Sequence, residues 1–185
     1  MPHTDQLLFQ TFDGKCLSVD QLSGDFRANL TPVQVAACNG TAGQKWDVIT
    51  AGKHNNLPGT MLVVSTLVSD TKHNDSDTSN LTNLQTNACL NIDDRRAAGN
   101  QVLLFSCGGR ADGGAYSLFL YMFAMTLIGP GTGGQQTNSQ LFKFLGGAGP
   151  ETLEPLSNVG TCLVVKGNVL DQAKCGGKGD TFTFG

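Results

Sequence analysis

A chain of 185 residues is long enough to bury the core of one domain, and 15% charged residues with 24 glycines favour a turn-rich β protein over a helical one. The net charge of −3 gives no electrostatic reason to expect a nucleic acid or an anionic lipid surface as a partner. The longest apolar run, 118–128, is shorter than the roughly 20 residues that a membrane-spanning helix needs. We therefore expect no membrane span but a buried strand pair in this run, with a membrane-inserting hairpin as the alternative.

Short apolar runs between turn signals predict about a dozen strands and no helix. In chain order the runs are 7–12, 16–19, 33–38, 45–50, 60–68, 84–88, 89–92, 101–107, 116–128, 140–145, 153–156, 162–165, 169–175 and 181–184. One order of features recurs along them: a strand, a turn, Cys-Leu-x-Val/Ile, a loop, a strand that ends in Cys, a Gly turn and an aromatic strand. This recurrence predicts an internal repeat.

Six cysteines make the repeat regular. They fall into close pairs whose first members follow one another at intervals of 73 residues, which indicates three copies that are each closed by one disulfide. The pairs are Cys16 with Cys38, Cys89 with Cys107, and Cys162 with Cys175. Three four-stranded copies that bury their apolar faces against each other predict an all-β fold, the β-trefoil. We expect a single domain, 1–185, with copies at approximately 5–55, 56–145 and 146–185.

The cysteine usage also bears on the compartment. An even, paired set favours an oxidising, extracellular setting, with a cytosolic protein that keeps free thiols as the alternative. Four N-x-[ST] sequons agree, and they mark candidate glycosylation sites at Asn29, Asn39, Asn74 and Asn80. The first five residues contain no apolar region of a signal peptide, so we expect a secreted protein whose leader has been removed.

The first copy carries the most specific motifs. It reads DGKCLSV at 13–19, PVQ at 32–34, CNG at 38–40 and QKW at 44–46, where the chain has its single Trp. These residues closely resemble the G-x-C-L-x-V, P-V-Q-x-x-x-C-N-G and Q-x-W motifs of ricin B-type lectin repeats. In the second copy, either 117–119 or 140–142 corresponds to the Q-x-W motif, and the third copy ends in DTF at 180–182. Because repeats of that family are shorter, the resemblance implies long insertions, which we expect at 55–82 and 124–151.

The resemblance also implies where a sugar would bind. Lectins of this family use an Asp two residues after the first Cys, an aromatic two residues before the second Cys, and Asn or Gln near the Q-x-W. In this chain the Asp position holds Ser18, Asn91 and Val164 in copies one to three. Only copy two has an aromatic residue at the aromatic position, Phe105, and the alternative is that Phe105 belongs to the core. The candidate sugar-binding residues are Asn91, Asp93, Asn100, Gln101 and Phe105 in copy two, with Asp94 nearby, and Asp20, Gln34 and Gln44 in copy one.

Taken together, the resemblance implies a non-catalytic lectin that recognises a glycan or a cell-wall polysaccharide. The three histidines stand apart without metal-ligand spacing and the cysteines are taken up in disulfides, so we expect no enzyme, no metal and no cofactor. The alternative is a structural, assembly or inhibitor protein that has lost sugar binding. Such a protein would contact other proteins, or a second copy of itself, through the inserted loops and the apolar run 118–128.

Overall fold

The computed structural model of the protein describes residues 3–19, 31–51, 55, 57–66, 89–105, 107, 138–146 and 149–185. These residues form β structure with one 3-10 turn, Ala42–Gln44, and none of their helical segments is long and apolar enough to cross a membrane. The strands are β1 His3–Thr11, β2 Lys15–Ser18, β3 Thr31–Pro32, β4 Gln34–Ala37, β5 Lys45–Ile49, β6 Thr60–Ser65, β7 Cys89–Ile92, β8 Val102–Phe105, β9 Leu141–Lys143, β10 Glu151–Thr152, β11 Thr161–Lys166, β12 Val169–Lys174 and β13 Thr181–Phe184.

Six of the strands close into a barrel. β1 pairs with β13 and β5, β5 pairs with β6, β6 pairs with β9, and β10 pairs with β13. The residues just after β10 complete the ring, because the Lys143 N–H donates to the Glu154 carbonyl at 2.9 Å and Phe142 bridges to Pro155. Closure satisfies the strand edges that an open sheet would expose.

Three hairpins, β2–β4, β7–β8 and β11–β12, form a cap on the barrel, one from each copy. They share one register, in which the first cysteine of each copy lies opposite the residue two before its partner cysteine. The facing pairs are Cys16 with Ala36, Cys89 with Phe105, and Cys162 with Ala173. Neighbouring hairpins also pair with each other, β3 with β8 and β4 with β12, so the cap is continuous between copies.

The three predicted disulfides are confirmed. They join the cysteine pairs of each copy across Cα–Cα distances of 5.0, 5.2 and 5.0 Å. Each closes a short stretch of chain, with sequence separations of 22, 18 and 13 residues, and is expected to stabilise its copy by about 3 kcal/mol by restricting the unfolded chain.

One aromatic residue from each copy fills the centre of the core. Trp46, Phe142 and Phe182 are all fully buried, and full burial of a large apolar side chain contributes about 1.5–3 kcal/mol. The Trp46 indole N–H donates to the Leu17 carbonyl at 3.3 Å, so its polar atom is also satisfied. The third motif of each copy, Q-x-W in copy one, therefore contributes its last residue to the core, although only copy one has Trp there.

A backbone hydrogen bond that recurs in all three copies identifies the residues that form the third motif of copy two. In every copy the carbonyl just before the motif accepts the N–H of the third residue after the first cysteine. The pairs are Val19 with Gly43 at 2.8 Å, Ile92 with Ser139 at 3.0 Å, and Val165 with Gly179 at 3.0 Å. Residues 140–142, Gln-Leu-Phe, are therefore the counterpart of QKW, and the choice that the sequence left open is resolved.

The predicted limits of the insertions need correction. An insertion at 55–82 begins too early, because Thr60–Ser65 is barrel strand β6, and one at 124–151 ends too late, because Leu141–Lys143 is barrel strand β9. The extra chain enters the frame between β6 and β7 and between β8 and β9. The apolar run 118–128, on which the alternative assembly role depends, lies outside the described residues.

Most predicted strands in the described ranges are confirmed, with their ends shifted by a few residues. The predicted strand 33–38 is β4, and the short strand β3 that precedes it was not predicted. The strand predicted at 153–156 was placed too late, since β10 ends at Thr152. The predicted runs 84–88 and 116–128 fall outside the described residues. The copy limits, 5–55, 56–145 and 146–185, stay a prediction.

Candidate functional site

A polar cluster lies where the loop between β7 and β8 meets strand β12 of copy three. We call Asp94, Gln101 and Gln172 the junction cluster. The Gln172 amide Nε2 donates to Asp94 Oδ1 at 2.6 Å and to Gln101 Oε1 at 3.1 Å. Gln101 in turn donates through Nε2 to the Arg96 carbonyl at 3.1 Å. One amide from copy three thus fixes two side chains of copy two, while Asp94 remains exposed to solvent.

Asp93 holds the loop that presents this cluster. Its carboxylate is 5% exposed and accepts Arg95 Nε at 2.8 Å, Arg95 Nη2 at 3.0 Å and Arg96 Nε at 3.3 Å. Its carbonyl accepts the Arg96 N–H at 3.1 Å, which closes a turn. Charge-assisted hydrogen bonds of this kind are among the stronger ones in proteins. Asp93 therefore orders the loop, and the neighbouring Asp94 faces solvent.

The single oxygen of the Gln172 amide is an acceptor in the junction cluster that has no donor among the described residues. Gln172 Oε1 is buried and accepts no hydrogen bond from the described residues. A buried acceptor without a donor costs about 1–3 kcal/mol. The oxygen is covered, so this cost accompanies the placement of the Gln172 nitrogen against Asp94 and Gln101.

Asp171, the neighbour of Gln172 on β12, is a buried carboxylate with a charged partner on the same hairpin. It is 2% exposed and accepts Lys166 Nζ at 2.8 Å. Burial alone would raise the pKa of Asp171, but the hydrogen bonds from Lys166 and from backbone N–H groups, including that of Gly99, outweigh burial and hold the pKa below its ordinary value. Asp171 therefore stays charged and holds the ammonium group of Lys166 on the same hairpin.

Asn91, the predicted sugar ligand of copy two, lies in the interior. It is fully buried and accepts the Ser139 hydroxyl at 3.0 Å, while the facing residue on β8, Leu103, is also buried. The positions that correspond to Ser139 are glycines in the other copies, Gly43 and Gly179, so this side-chain contact belongs to copy two. A sugar cannot reach Asn91 without moving these groups, and we leave it out of the site proposed below.

Phe105 and Asn100 lie at the two ends of strand β8 and its loop. Phe105 is half-buried at the end of β8, directly opposite Cys89. Asn100 is exposed beside Gln101, and its N–H donates to the Ala97 carbonyl at 3.0 Å. Asn100 therefore belongs to the surface that carries the junction cluster.

In copy one, Gln44 has a structural role. It is 1% exposed, accepts the N–H groups of Asn39 at 2.8 Å and Gly40 at 3.2 Å, and donates to the Ala37 carbonyl at 2.8 Å. In copy three Asp180 does the same, accepting the two N–H groups that follow Cys175 at 2.6 and 3.2 Å. In copies one and three, the first residue of the Q-x-W position thus satisfies the turn after the second cysteine from a buried place in the structure.

Of the two other sugar-binding candidates in copy one, one lies on the surface and one lies outside the described residues. Gln34 is exposed on β4, where it pairs with Ser18 and Val169. Asp20 lies outside the described residues. The structure thus brings Asp94, Asn100 and Gln101 together on one loop held by Asp93, and leaves Gln34 and Gln44 in another copy.

Gln172 was missed by the sequence analysis. It lies 78 residues from Asp94 and 71 residues from Gln101, in the copy that has none of the family's sugar-binding residues. No local motif marks it. Only the packing of hairpin β11–β12 beside the copy-two loop brings it to the site.

Comparisons with known proteins address the fold. No protein-family profile and no curated protein matches the sequence. A solved structure described as "Structure and mode of action of a mosquitocidal holotoxin" aligns with a TM-score of 0.58 and 8% identity, over 100% of this chain and 17% of the toxin chain. The designed threefold symmetric protein ThreeFoil aligns with a TM-score of 0.55 and 15% identity, over 100% of this chain and 98% of its own.

These likenesses and the closed six-strand barrel with three capping hairpins define the protein as a β-trefoil. In its copy-one motifs and its fold it resembles the ricin B-type lectins. The chain spans 17% of the length of the holotoxin, so nothing that concerns the whole toxin transfers with the fold.

Proposed function

We propose that the protein binds carbohydrate without catalysing a reaction, and that the junction cluster is its sugar-binding site. The observation that carries the proposal is an exposed carboxylate, Asp94, which is fixed at 2.6 Å by an amide from another copy. Preorganised polar groups of this kind bind hydroxyls at a lower entropic cost than mobile ones.

The chemistry of the cluster suits a sugar. Hydroxyl groups of a sugar ring can donate to the exposed carboxylate of Asp94, and the exposed amide of Asn100 offers both a donor and an acceptor. A carboxylate accepts such hydrogen bonds about twice as strongly as a neutral oxygen does. Because Asp94 is solvent-exposed, one site of this kind supports modest affinity.

An extracellular setting is part of the proposal. Three disulfides in 185 residues favour an oxidising compartment, where surface glycans and wall polysaccharides are found. The β-trefoil with ricin B-type motifs supports a binding role, but the fold alone does not select a ligand.

The test is a glycan array followed by titration calorimetry with the best ligand. Asp94→Asn and Gln172→Ala are each expected to weaken binding by about tenfold, which corresponds to about 1.4 kcal/mol. The matched control is Gln34→Ala, another strand glutamine on the hairpin cap but outside the cluster, and it is expected to leave affinity unchanged.

Two outcomes would contradict the proposal in different ways. Loss of binding in Gln34→Ala, with full binding in the cluster variants, would move the site to copy one. No ligand on the array or among insoluble polysaccharides, at protein concentrations near 1 mM, would remove the carbohydrate function altogether.

A further inference from the structure

We propose that Asn39 is an N-glycosylation site and carries a glycan in the secreted protein. Of the predicted sequons, Asn39-Gly40-Thr41 is the one that the described residues contain in full. The sequon follows the second cysteine of copy one, and Asn39 and Thr41 are both exposed. Glycosylated asparagines need a surface position of this kind.

The side-chain geometry leaves the reactive atom free. Asn39 Oδ1 accepts the Thr41 N–H at 3.1 Å and the Thr41 hydroxyl at 2.8 Å. Asn39 Nδ2, the atom that receives the sugar, donates no hydrogen bond to any of the described residues. The carbonyl oxygen of the amide is thus engaged by the sequon itself, and within the described part of the chain the nitrogen of this exposed side chain has no acceptor.

The turn that presents Asn39 is fixed by the protein frame. Gln44 accepts both the Asn39 and the Gly40 N–H groups, and Gly40 has a φ of +67°, a region in which glycine is favoured. The same contacts bear on a competing reaction. Deamidation of an Asn-Gly pair requires the Gly40 nitrogen to attack the Asn39 side chain, and here that N–H is held by Gln44 at 3.2 Å.

The transfer needs a donor from the secretory pathway, a lipid diphosphate-linked oligosaccharide presented by an oligosaccharyltransferase. The sugar C1–O bond to the diphosphate breaks, a C1–N bond to Asn39 Nδ2 forms, the nitrogen loses one proton, and the lipid diphosphate leaves. The three disulfides support passage through an oxidising compartment of this kind.

A glycan at this position would lie on copy one, next to Cys38 at the end of hairpin β2–β4. The junction cluster lies between copies two and three, so the modification and the proposed sugar site occupy different parts of the cap. The two proposals therefore fail separately: glycan binding by Asn39→Asp protein reports on the cluster, and mass analysis of position 39 reports on the modification.

The experiment is secretion of the full chain from a eukaryotic host, with release of N-glycans by a glycosidase in heavy-oxygen water and peptide mapping. We expect Asp with heavy oxygen at position 39 in most molecules. Thr41→Ser, which keeps the sequon hydroxyl, should retain it, and Thr41→Val, which is matched in size, should lose it.

Either of two results would overturn the proposal. One is an unmodified Asn39 in secreted protein whose disulfides have formed. The other is Asp with ordinary oxygen at this position, which would report deamidation. Both are read from the wild-type chain, so the proposal stays testable even if the Thr41→Val protein is not secreted.

Discussion

Replacing Phe142 with alanine tests the position of the third motif in copy two. Phe142 is fully buried in the central core and comes from a strand that pairs with β6 on one side and bridges to Pro155 on the other. Substitution of a buried Phe by Ala typically costs about 3–5 kcal/mol in transfer and cavity terms. For a domain of this size, each kcal/mol lowers the melting temperature by about 2–4 °C, so a decrease of about 10 °C is expected.

Urea unfolding is the assay, followed by the fluorescence of Trp46, which is buried in the same core and is the only Trp in the chain. The matched control is Phe12→Ala, because Phe12 is 47% exposed and should cost about 1 kcal/mol or less. If the two variants are destabilised equally, Phe142 does not occupy the core position of the motif, and the assignment of 140–142 is wrong.

Three further predictions concern the frame. Gln44→Ala removes three hydrogen bonds and should lower the free energy of unfolding by about 2–3 kcal/mol, and a loss below about 0.5 kcal/mol, typical of surface changes, would contradict its structural role. The hydrogen bond from Lys143 at 2.6 Å lowers the pKa of Glu154, so its contribution is complete above the unfolded pKa and is lost as the pH falls through the lower folded value. Glu154→Gln should therefore weaken the acid dependence of stability below about pH 4, and an unchanged curve would refute this. Replacing Cys162 and Cys175 together by alanine opens a link with a separation of 13 residues and should cost about 3 kcal/mol in denaturant titrations, so a cost near zero would count against it.

The three-copy arrangement of strands was predictable because local and periodic sequence patterns determine it. The cysteine spacing marked the three hairpins, and the hairpin register follows from it in all copies. The insertion limits were not predictable in the same way. Short strands such as Leu141–Lys143 carry little signal of their own, and their place in the barrel depends on partners such as Thr60–Ser65 far away in the sequence.

The site was predictable only in part, because a binding surface depends on which side chains reach solvent. The loop with Asp93, Asp94 and Gln101 could be found from its polar residues. Asn91 is buried and accepts a hydrogen bond from the Ser139 hydroxyl, 48 residues away, and Gln172 enters from another copy. Contacts of this length leave no pattern in a single sequence.

The closure of the barrel by β1 and β13 has a consequence for how the chain can be connected. Leu8 and Gly185 exchange backbone hydrogen bonds of 3.1 and 3.4 Å, so the last residue lies only five strand residues, roughly 16 Å, from His3. A linker of about six residues could join these ends. The chain could then be opened between β5 and β6 with every strand pair retained. A circularly permuted chain of this kind is expected to form the same barrel, because the strand pairs do not depend on the order in which the copies are connected.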